Sequence, residues 1–431
     1  MKLSKFCRIY PHDTIEDSVI LYSTKQASSV ILPRAMLDEI EKETISEEEK
    51  KTLLELGFLT NAPEEDKEAL NFMEDLNREN NRFYAKVAMN LDCNLACTYC
   101  YEGRRKGRLY MSKETADDII GFITNKALSC KEEIILSFYG GEPLLSADLI
   151  VYMSERIKAA AEASGVKFSS YITTNGTLLT GKTAERLKHL GLQEAAVTID
   201  GPRHIHDLSR PFKTGSGSFD SIIRNVKESC GIIKVQLGGN FTKENYREMP
   251  LLLDYLLDNG LTPDRIPLIR FDPVMSERKD VAPPEYTGGC TCLNEPWITE
   301  ATLFLNEEII RRGYRPPSIQ PLACMMELSD RLLINYDGAL YKCPGLIGRK
   351  DFCVGDVRTG IKDHRQSHNL DNWKNDECLN CSYLPLCFGG CRYLKYVRDG
   401  NMEGVDCRRL YFDAAVEALV KQEIRYGLTA G

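Results

Sequence analysis

The sequence has no excess of positive charge. Its 431 residues include 55 Lys and Arg against 63 Asp and Glu, which gives a formal net charge of −8. A protein that binds nucleic acid normally presents a basic surface, because contacts to phosphate supply much of its affinity. We therefore expect no nucleic-acid partner.

Long hydrophobic runs are missing as well. A membrane-spanning helix needs about 20 consecutive apolar residues, and no segment of the sequence approaches that length. The opening residues MKLSKFCRIY also lack the apolar stretch of a secretion signal. These absences predict a cytoplasmic protein without a membrane partner.

Cysteine, by contrast, is frequent, with 16 residues in the chain. In a reducing compartment, clustered thiols serve metal binding or catalysis more often than disulfide formation. Clustered cysteines are therefore the first candidates for a functional site.

The pattern of the chain divides it into five parts. Short β-prone runs and two helices form a first unit, and the capping box Ser46-x-x-Glu49 marks the start of its second helix. A polar, acidic linker follows, and then strand-like and helix-like segments alternate. The predicted bounds are 1–60 for the first unit, 61–82 for the linker, 83–275 for the alternating domain, 276–323 for a bridging region and 324–431 for a Cys-rich domain.

The alternating domain contains six strand-like segments, each separated from the next by a helix-like segment. Such units predict an α/β fold with a parallel sheet, curled by right-handed crossovers into a partial (β/α)6 barrel similar to a TIM barrel. The active site of such a barrel lies at the C-terminal ends of its strands.

Three cysteines stand directly after the first of these strands, in MNLDCNLACTYCYE. Cys93, Cys97 and Cys100 have the spacing C-x3-C-x2-C. A closed structural zinc site needs four ligands, whereas three thiolates suit a four-iron cluster with one open iron. A zinc site completed by a distant cysteine is the alternative.

This cysteine motif resembles that of the radical S-adenosylmethionine (radical SAM) enzymes. Three further motifs resemble those of the family in the same order, namely GGEP at 140–143, TTNG at 173–176 and VTIDGPRHIHDLSR at 197–210. The resemblance implies that Cys93, Cys97 and Cys100 hold a catalytic [4Fe-4S] cluster. In the family, this cluster cleaves S-adenosylmethionine reductively to a 5'-deoxyadenosyl radical, which abstracts hydrogen from the substrate.

The resemblance also implies a binding site for S-adenosylmethionine. Glu142 would accept from its amino group, Arg210 would pair with its carboxylate, Thr198 would face the ribose or carboxylate, and Tyr99 would lie beside the adenine. We assign no metal role to His204 or His206. The complete predicted cofactor-binding set is Tyr99, Gly140, Gly141, Glu142, Pro143, Thr174, Asn175, Thr198, Asp200 and Arg210.

The C-terminal cysteines form a second pattern, C-x13-G-x4-C followed by C-x2-C-x5-C-x3-C and one further Cys. It resembles the SPASM extension of radical SAM enzymes that modify peptides and proteins, which implies two auxiliary [4Fe-4S] clusters and three clusters in total. One auxiliary set is Cys378, Cys381, Cys387 and Cys407; the other is Cys324, Cys343 and Cys391. Cys292, or otherwise Cys290, is the candidate fourth ligand of the second set; without either, that cluster keeps an open iron.

The cysteines outside the first motif allow one other metal site and include four residues without a predicted metal role. A pair of zinc ribbons could also use the C-terminal set. Four isolated cysteines, which are predicted to be structural because they lie in apolar stretches, are Cys7, Cys130, Cys230 and Cys353.

Residues 1–60 resemble the winged-helix domains that clamp the leader of a precursor peptide against a β-strand, although a purely packing role is the alternative. Together with the cofactor motifs, this layout resembles that of geopeptide-type maturases of ribosomally made peptides. The resemblance implies a maturase that forms a thioether crosslink in a precursor peptide, with an external one-electron reductant of the flavodoxin or ferredoxin type as a second partner.

Other functions stay open at this stage. They are an anaerobic sulfatase-type maturase that oxidises Cys or Ser to formylglycine, a carbon–carbon crosslinking or epimerising peptide maturase, and a non-enzymatic metal scaffold. Formylglycine-forming relatives typically have an Asp base where this chain has Pro344. The precursor peptide, the residue attacked, the crosslink type and the oligomeric state are not indicated by the sequence.

Overall fold

The N-terminal unit is a small antiparallel sheet with two helices, in a computed structural model that describes residues 1–61, 64–100, 107–274 and 292–428. Its elements are β1 (Lys2–Leu3), β2 (Cys7–Pro11), β3 (Ser18–Ser23), β4 (Ser29–Pro33), α1 (Ala35–Glu41), α2 (Glu47–Glu55) and β5 (Leu59–Thr60). Strand β3 lies between β2 and β4, and β1 pairs with β5. The predicted capping box is present, because Ser46 and Glu49 bond reciprocally at the start of α2.

Helix α3 (Glu64–Glu79) fills most of the segment predicted to be a solvated linker. Ala69 and Met73 are buried in one apolar cluster with Trp373 and Phe388 of the C-terminal region. Apolar residues three or four positions apart are enough to form such a helix face, even in an acidic segment. One face of the helix is therefore packed against the C-terminal region, while side chains such as Leu70 and Leu76 stay exposed.

The central domain is the predicted series of parallel strands and covering helices. Strands β6 to β11 neighbour one another in chain order and are all parallel. The elements are β6 (Arg82–Ala88), α4 (Lys113–Ala127), β7 (Glu133–Tyr139), α5 (Ala147–Ala163), β8 (Lys167–Thr174), α6 (Gly181–His189), β9 (Leu192–Thr198), α7 (Arg203–Ser209), α8 (Phe219–Ser229), β10 (Lys234–Phe241), α9 (Pro250–Asp258) and β11 (Ile269–Pro273). The predicted α/β class is confirmed.

The helices cover the sheet through apolar faces. In α8, Phe219, Ile222 and Val226 are buried at spacings of three and four residues. On the strand side, Phe83 and Val87 are fully buried in the same core. Among the described residues, no helix is both long enough and apolar enough to span a bilayer.

The C-terminal region continues the central sheet. Its elements are α10 (Pro296–Arg311), β12 (Arg331–Ile334), β13 (Ala339–Tyr341), β14 (Gly355–Asp356), β15 (Gly360–Ile361), α11 (Asp376–Leu379), α12 (Leu384–Cys387), α13 (Arg392–Asp399) and α14 (Arg409–Arg425). Strands β12 and β13 form an antiparallel hairpin, and β12 also pairs in parallel with β6. This pairing brings the Cys-rich region beside the first barrel strand. The predicted domain bounds remain predictions, and residues 275–291, which include a predicted boundary, lie outside the described residues.

A candidate cofactor site at the barrel mouth

A cavity of about 470 Å³ opens where the barrel strands end. The three predicted cluster cysteines, Cys93, Cys97 and Cys100, line it. The predicted cofactor residues that also line it are Tyr99, Gly140, Gly141, Thr174, Asn175, Thr198 and Arg210. Glu142, Pro143 and Asp200 do not line this cavity; Glu142 and Asp200 are instead hydrogen-bonded to residues that do.

The cysteine loop is fixed by backbone hydrogen bonds to the segment that follows α7. Ala96 N–H donates to Pro211 O at 2.8 Å, and Thr98 N–H donates to Ser209 O at 3.0 Å. Lys213 N–H donates in return to Asn94 O at 3.0 Å. Arg210 lies inside this segment, so its position and that of the cysteine loop are set together.

The two glycines of the GGEP motif allow close contact between two backbones. A Cβ atom on Gly140 would lie 2.3 Å from Asn90 O, and one on Gly141 would lie 2.0 Å from Asp92 O. Gly141 N–H donates to Asn90 O at 3.1 Å, and Glu142 N–H donates to Asp92 O at 2.7 Å. The sequence predicted a close approach of a ligand here, and the structure shows a close approach of the backbone that leads into Cys93.

We expect Gly141→Ala to destabilise the protein by about 1–3 kcal/mol, because the new methyl group overlaps a carbonyl that has no room to move. Gly121 in α4 is the matched control, since a Cβ there has no atom within 4 Å. Gly121→Ala should stabilise by about 0.5–1 kcal/mol, as alanine favours a helix interior. Denaturant unfolding of both variants measures the difference, and equal stabilities would contradict the packing described.

Glu142 connects the GGEP motif to the TTNG motif. Its fully buried carboxylate accepts from Thr174 Oγ1 at 2.8 Å, from Asn175 N–H at 2.8 Å and from Leu144 N–H at 3.0 Å. Burial raises the pKa of Glu142, although these donors oppose the shift. Its predicted contact with the amino group of S-adenosylmethionine remains a prediction.

Asn175 extends this connection to the cysteine loop. Its Nδ2 donates to Asn94 Oδ1 at 2.8 Å and to Cys93 Sγ at 3.6 Å. Hydrogen bonds to cysteine sulfur are one of the means by which proteins tune an iron–sulfur cluster. The TTNG motif therefore contacts Cys93, one of the three predicted cluster ligands, and also lines the cavity.

Arg210 belongs to a buried polar network centred on the hydroxyl of Tyr99. Arg210 Nη1 donates to Tyr99 Oη at 2.7 Å, Asn240 Nδ2 donates to the same oxygen at 3.0 Å, and Tyr99 donates to Asp200. Burial alone would lower the pKa of Arg210, but Tyr99, Cys97 and Asp200 raise it well above its ordinary value. The guanidinium is therefore a permanent positive charge on the cavity wall.

This network does not use every donor of the Arg210 guanidinium. Arg210 Nε is buried and has no hydrogen-bond partner among the described residues. Buried polar atoms are nearly always paired in native proteins, and a carboxylate is the strongest partner for a guanidinium. Arg210 also lines the cavity, so its guanidinium, which has a spare donor, fits the carboxylate of S-adenosylmethionine there.

The sequence analysis did not predict two residues of this network as site residues. Asn240 lies near the C-terminal end of β10. This position at a strand end was the signal in the sequence that could have identified it as a site residue. His206, which the sequence left without a metal role, accepts Asp200 N–H at its Nδ1 at 3.1 Å. Burial lowers the pKa of His206 to about 3, so it acts as a neutral support for Asp200.

The C-terminal cysteines lie near one another in two groups, and their binding of clusters remains a prediction. Burial raises the pKa of Cys343, and the nearby Cys391 and Cys324 raise it further. Burial likewise raises the pKa of Cys387 to about 11, with smaller contributions from Cys378 and Cys407. A second cavity, of about 610 Å³, is lined by the four predicted ligands of that set, which are Cys378, Cys381, Cys387 and Cys407.

Cys292, the candidate fourth ligand of the set Cys324, Cys343 and Cys391, lies close in the chain to a contact with Cys407 of the other set. Cys292 Sγ accepts Asn294 N–H at 3.4 Å, and Asn294 Nδ2 donates to Cys407 O at 2.8 Å. Cys290 lies outside the described residues. Ligation by Cys292 therefore remains a prediction.

The four cysteines predicted to be structural differ in their surroundings. Burial raises the pKa of Cys7 to about 12, as expected for an apolar site. Cys230 and Cys353 are partly buried, but Cys130 is exposed at the end of α4, so the apolar surroundings predicted for it are wrong. The helix ends at Ala127, and this cysteine lies beyond its apolar face.

Comparisons with known proteins agree on one family. The profile of the radical SAM superfamily matches residues 87–256. A serine-type anaerobic sulfatase-maturating enzyme from Bacteroides thetaiotaomicron is 32% identical over 361 residues, which are 72% of this chain and 82% of that enzyme. The structure of native anSMEcpe with bound AdoMet and Cp18Cys peptide has a TM-score of 0.62 at 18% identity, over 80% of this chain and 99% of that one. Streptococcus suis SuiB bound to precursor peptide SuiA has a TM-score of 0.51 at 14% identity, over 94% of this chain and 98% of that one, so both structures share the fold.

Proposed function

We propose that this chain is a maturase that forms a thioether crosslink in a precursor peptide. The chain belongs to the radical SAM superfamily, and it is therefore an enzyme that uses S-adenosylmethionine and a [4Fe-4S] cluster. The proposal includes two auxiliary [4Fe-4S] clusters, which make three in total, and an external one-electron reductant of the flavodoxin or ferredoxin type.

The observation that supports this proposal best is the composition of the barrel cavity. Residues of α13, which begins directly after Cys391, line it together with the first cysteine motif. Tyr139, on the wall of the same cavity, is partly buried, and its pKa is raised first by burial and then by both Cys100 and Cys343. A substrate in this cavity would lie between the first cysteine motif and one auxiliary set.

That position suits a crosslinking reaction that removes two hydrogen atoms. When bound, the cluster and S-adenosylmethionine supply reductive cleavage and hydrogen abstraction. The substrate would give up one C–H hydrogen atom to the deoxyadenosyl group and one S–H proton to solvent as a C–S bond forms, and a cluster held by the auxiliary cysteines would take up the remaining electron. A thiol bound to iron needs no strong protein base, because coordination lowers its pKa.

Pro344 is consistent with such a reaction. It follows Cys343 and begins a 3-10 turn, and its side chain offers no proton acceptor. The zinc alternative receives no support from the geometry, because in the described part of the chain no three His, Cys, Asp or Glu side chains converge on a single-ion site. In a four-iron cluster each thiolate binds a different iron atom, so the ligands need not converge on one point.

The N-terminal unit is proposed to bind the leader of the precursor. Its sheet has two edges, and β2 is packed on the C-terminal region through Arg8 and Tyr10. Strand β4 is the other edge, with Ile31 exposed. An extended peptide can add to such an edge through backbone hydrogen bonds.

A second candidate function is oxidation of Cys or Ser to formylglycine. It is favoured by the 32% identity with a serine-type anaerobic sulfatase-maturating enzyme. The two functions differ in their products, because crosslinking keeps the substrate sulfur, whereas formylglycine formation from Cys removes it.

The test is anaerobic co-expression with a small Cys-rich peptide encoded beside the enzyme, followed by mass spectrometry. We expect a loss of two hydrogen atoms per crosslink and one cysteine that iodoacetamide no longer alkylates. An aldehyde that reacts with a hydrazide probe would favour the second candidate. An unmodified peptide, from cells in which the enzyme produces 5'-deoxyadenosine, would contradict both.

A further inference from the structure

The N-terminal unit contacts the loop that carries Cys378 and Cys381. These two cysteines belong to the predicted set Cys378, Cys381, Cys387 and Cys407, which we call the distal set. Lys5 Nζ donates to Leu379 O at 2.8 Å, between these two cysteines. Directly after Cys381, Ser382 O accepts from Thr24 Oγ1 at 2.6 Å, and Ser382 Oγ accepts from Arg8 Nη1 at 3.3 Å. Three side chains of the unit therefore hold one ligand loop.

Apolar contacts continue this interface on both sides of the loop. Phe6 belongs to the same buried cluster as Trp373 and Leu384, and Cys378 packs against that cluster. Tyr10 and Tyr22 belong to another buried cluster with Tyr383, Phe412 and Val416, against which Cys381 and Cys387 pack. Three of the four distal cysteines thus lie against cores that include residues of the N-terminal unit.

The loop has little regular structure of its own. Helix α11 has 4 residues and α12 has 4 residues, and Cys381 lies between them. Helices this short are not stable by themselves, because the free energy lost on nucleating a helix exceeds the free energy gained from the hydrogen bonds of a single turn. The positions of Cys378 and Cys381 must therefore depend on contacts made by other parts of the chain.

We infer that the N-terminal unit forms part of the distal auxiliary site, and that Lys5, Arg8 and Thr24 are positioning residues that hold Cys378 and Cys381 at ligand spacing. The inference rests on the cluster assignment in the proposed function and not on the peptide reaction. It gives the unit a second role beside peptide recognition.

The test removes the polar contacts and measures cluster retention. In Lys5→Met/Arg8→Gln/Thr24→Val, made in the full chain and reconstituted anaerobically, we expect one cluster to be lost to a chelator about tenfold faster, because at least three hydrogen bonds are gone. The electron paramagnetic resonance signal of that cluster should change, while 5'-deoxyadenosine production without peptide is retained. Thr24→Val alone, which is nearly isosteric, should show the same change to a smaller degree if the triple variant does not fold.

Two controls make the outcome decisive. Lys51→Met removes a charge from the same unit, at a side chain that is 78% exposed, and should leave the retention rate unchanged. Lys5→Arg/Arg8→Lys/Thr24→Ser keeps the donors and should restore retention. Equal rates and spectra in all variants would overturn the inference. An unsubstituted protein without a distal cluster would overturn the cofactor assignment as well, which separates the two failures.

Discussion

Replacing Cys93, Cys97 and Cys100 together by alanine is expected to abolish the production of 5'-deoxyadenosine from S-adenosylmethionine. These three thiols line the barrel cavity, and a cluster that keeps one iron open needs all of its three protein ligands. Chromatographic quantification of 5'-deoxyadenosine in dithionite-reduced protein measures the effect. We expect a signal no higher than that of a sample without enzyme.

The triple variant should keep its fold, which makes the loss interpretable. The cysteine loop is held through backbone groups, such as Ala96 N–H on Pro211 O, that alanine substitution leaves in place. Cys130→Ala is the matched control, because this exposed cysteine lies at the end of α4 and outside the lining of the cavity. Normal production in the triple variant, or iron-free protein that holds zinc, would contradict the cofactor site.

Local patterns in the sequence were sufficient for most of the barrel. The alternation of apolar runs predicted strands β6 to β11 and helices α4, α5, α6, α8 and α9, since each of these elements is encoded by its own periodicity, whereas α7 was not predicted. The cavity residues followed from the resemblance of their motifs to those of the radical SAM enzymes, and the rule that strand ends meet at one mouth agreed with it. Cys93 and Gly140 could therefore be placed together although 47 positions separate them in the sequence.

Long-range contacts could not be predicted in the same way. The parallel pairing of β12 with β6 joins Arg331 to Tyr84, and nothing in either segment specifies the other. The packing of α3 depends on Trp373, which is far along the chain. Asn240 was missed for the same reason, because its role appears only when β10 brings it to the hydroxyl of Tyr99.

Arg210→Ala is expected to have the second largest effect. The substitution removes the positive charge beside Asp200, whose side chain is 1% exposed and lies 3.9 Å from the guanidinium. An uncompensated buried carboxylate costs about 3–5 kcal/mol of stability. The affinity for S-adenosylmethionine should fall about 30-fold or more, since a charge-assisted pair with the carboxylate of the ligand is lost. Thermal unfolding and isothermal titration with S-adenosylmethionine measure the two effects.

Arg203 provides the matched control for this prediction. It lies in α7, seven positions before Arg210, and its ion pair with Asp220 joins side chains that are 52% and 63% exposed. Exposed ion pairs contribute about 0–1 kcal/mol to stability. Arg203→Ala should therefore change neither the thermal stability nor the affinity for S-adenosylmethionine strongly. Arg210→Lys keeps the charge but loses the planar fork, and should give an intermediate affinity. If Arg210→Ala behaved like Arg203→Ala in both measurements, Arg210 would be neither the partner of Asp200 nor a ligand of the cofactor carboxylate.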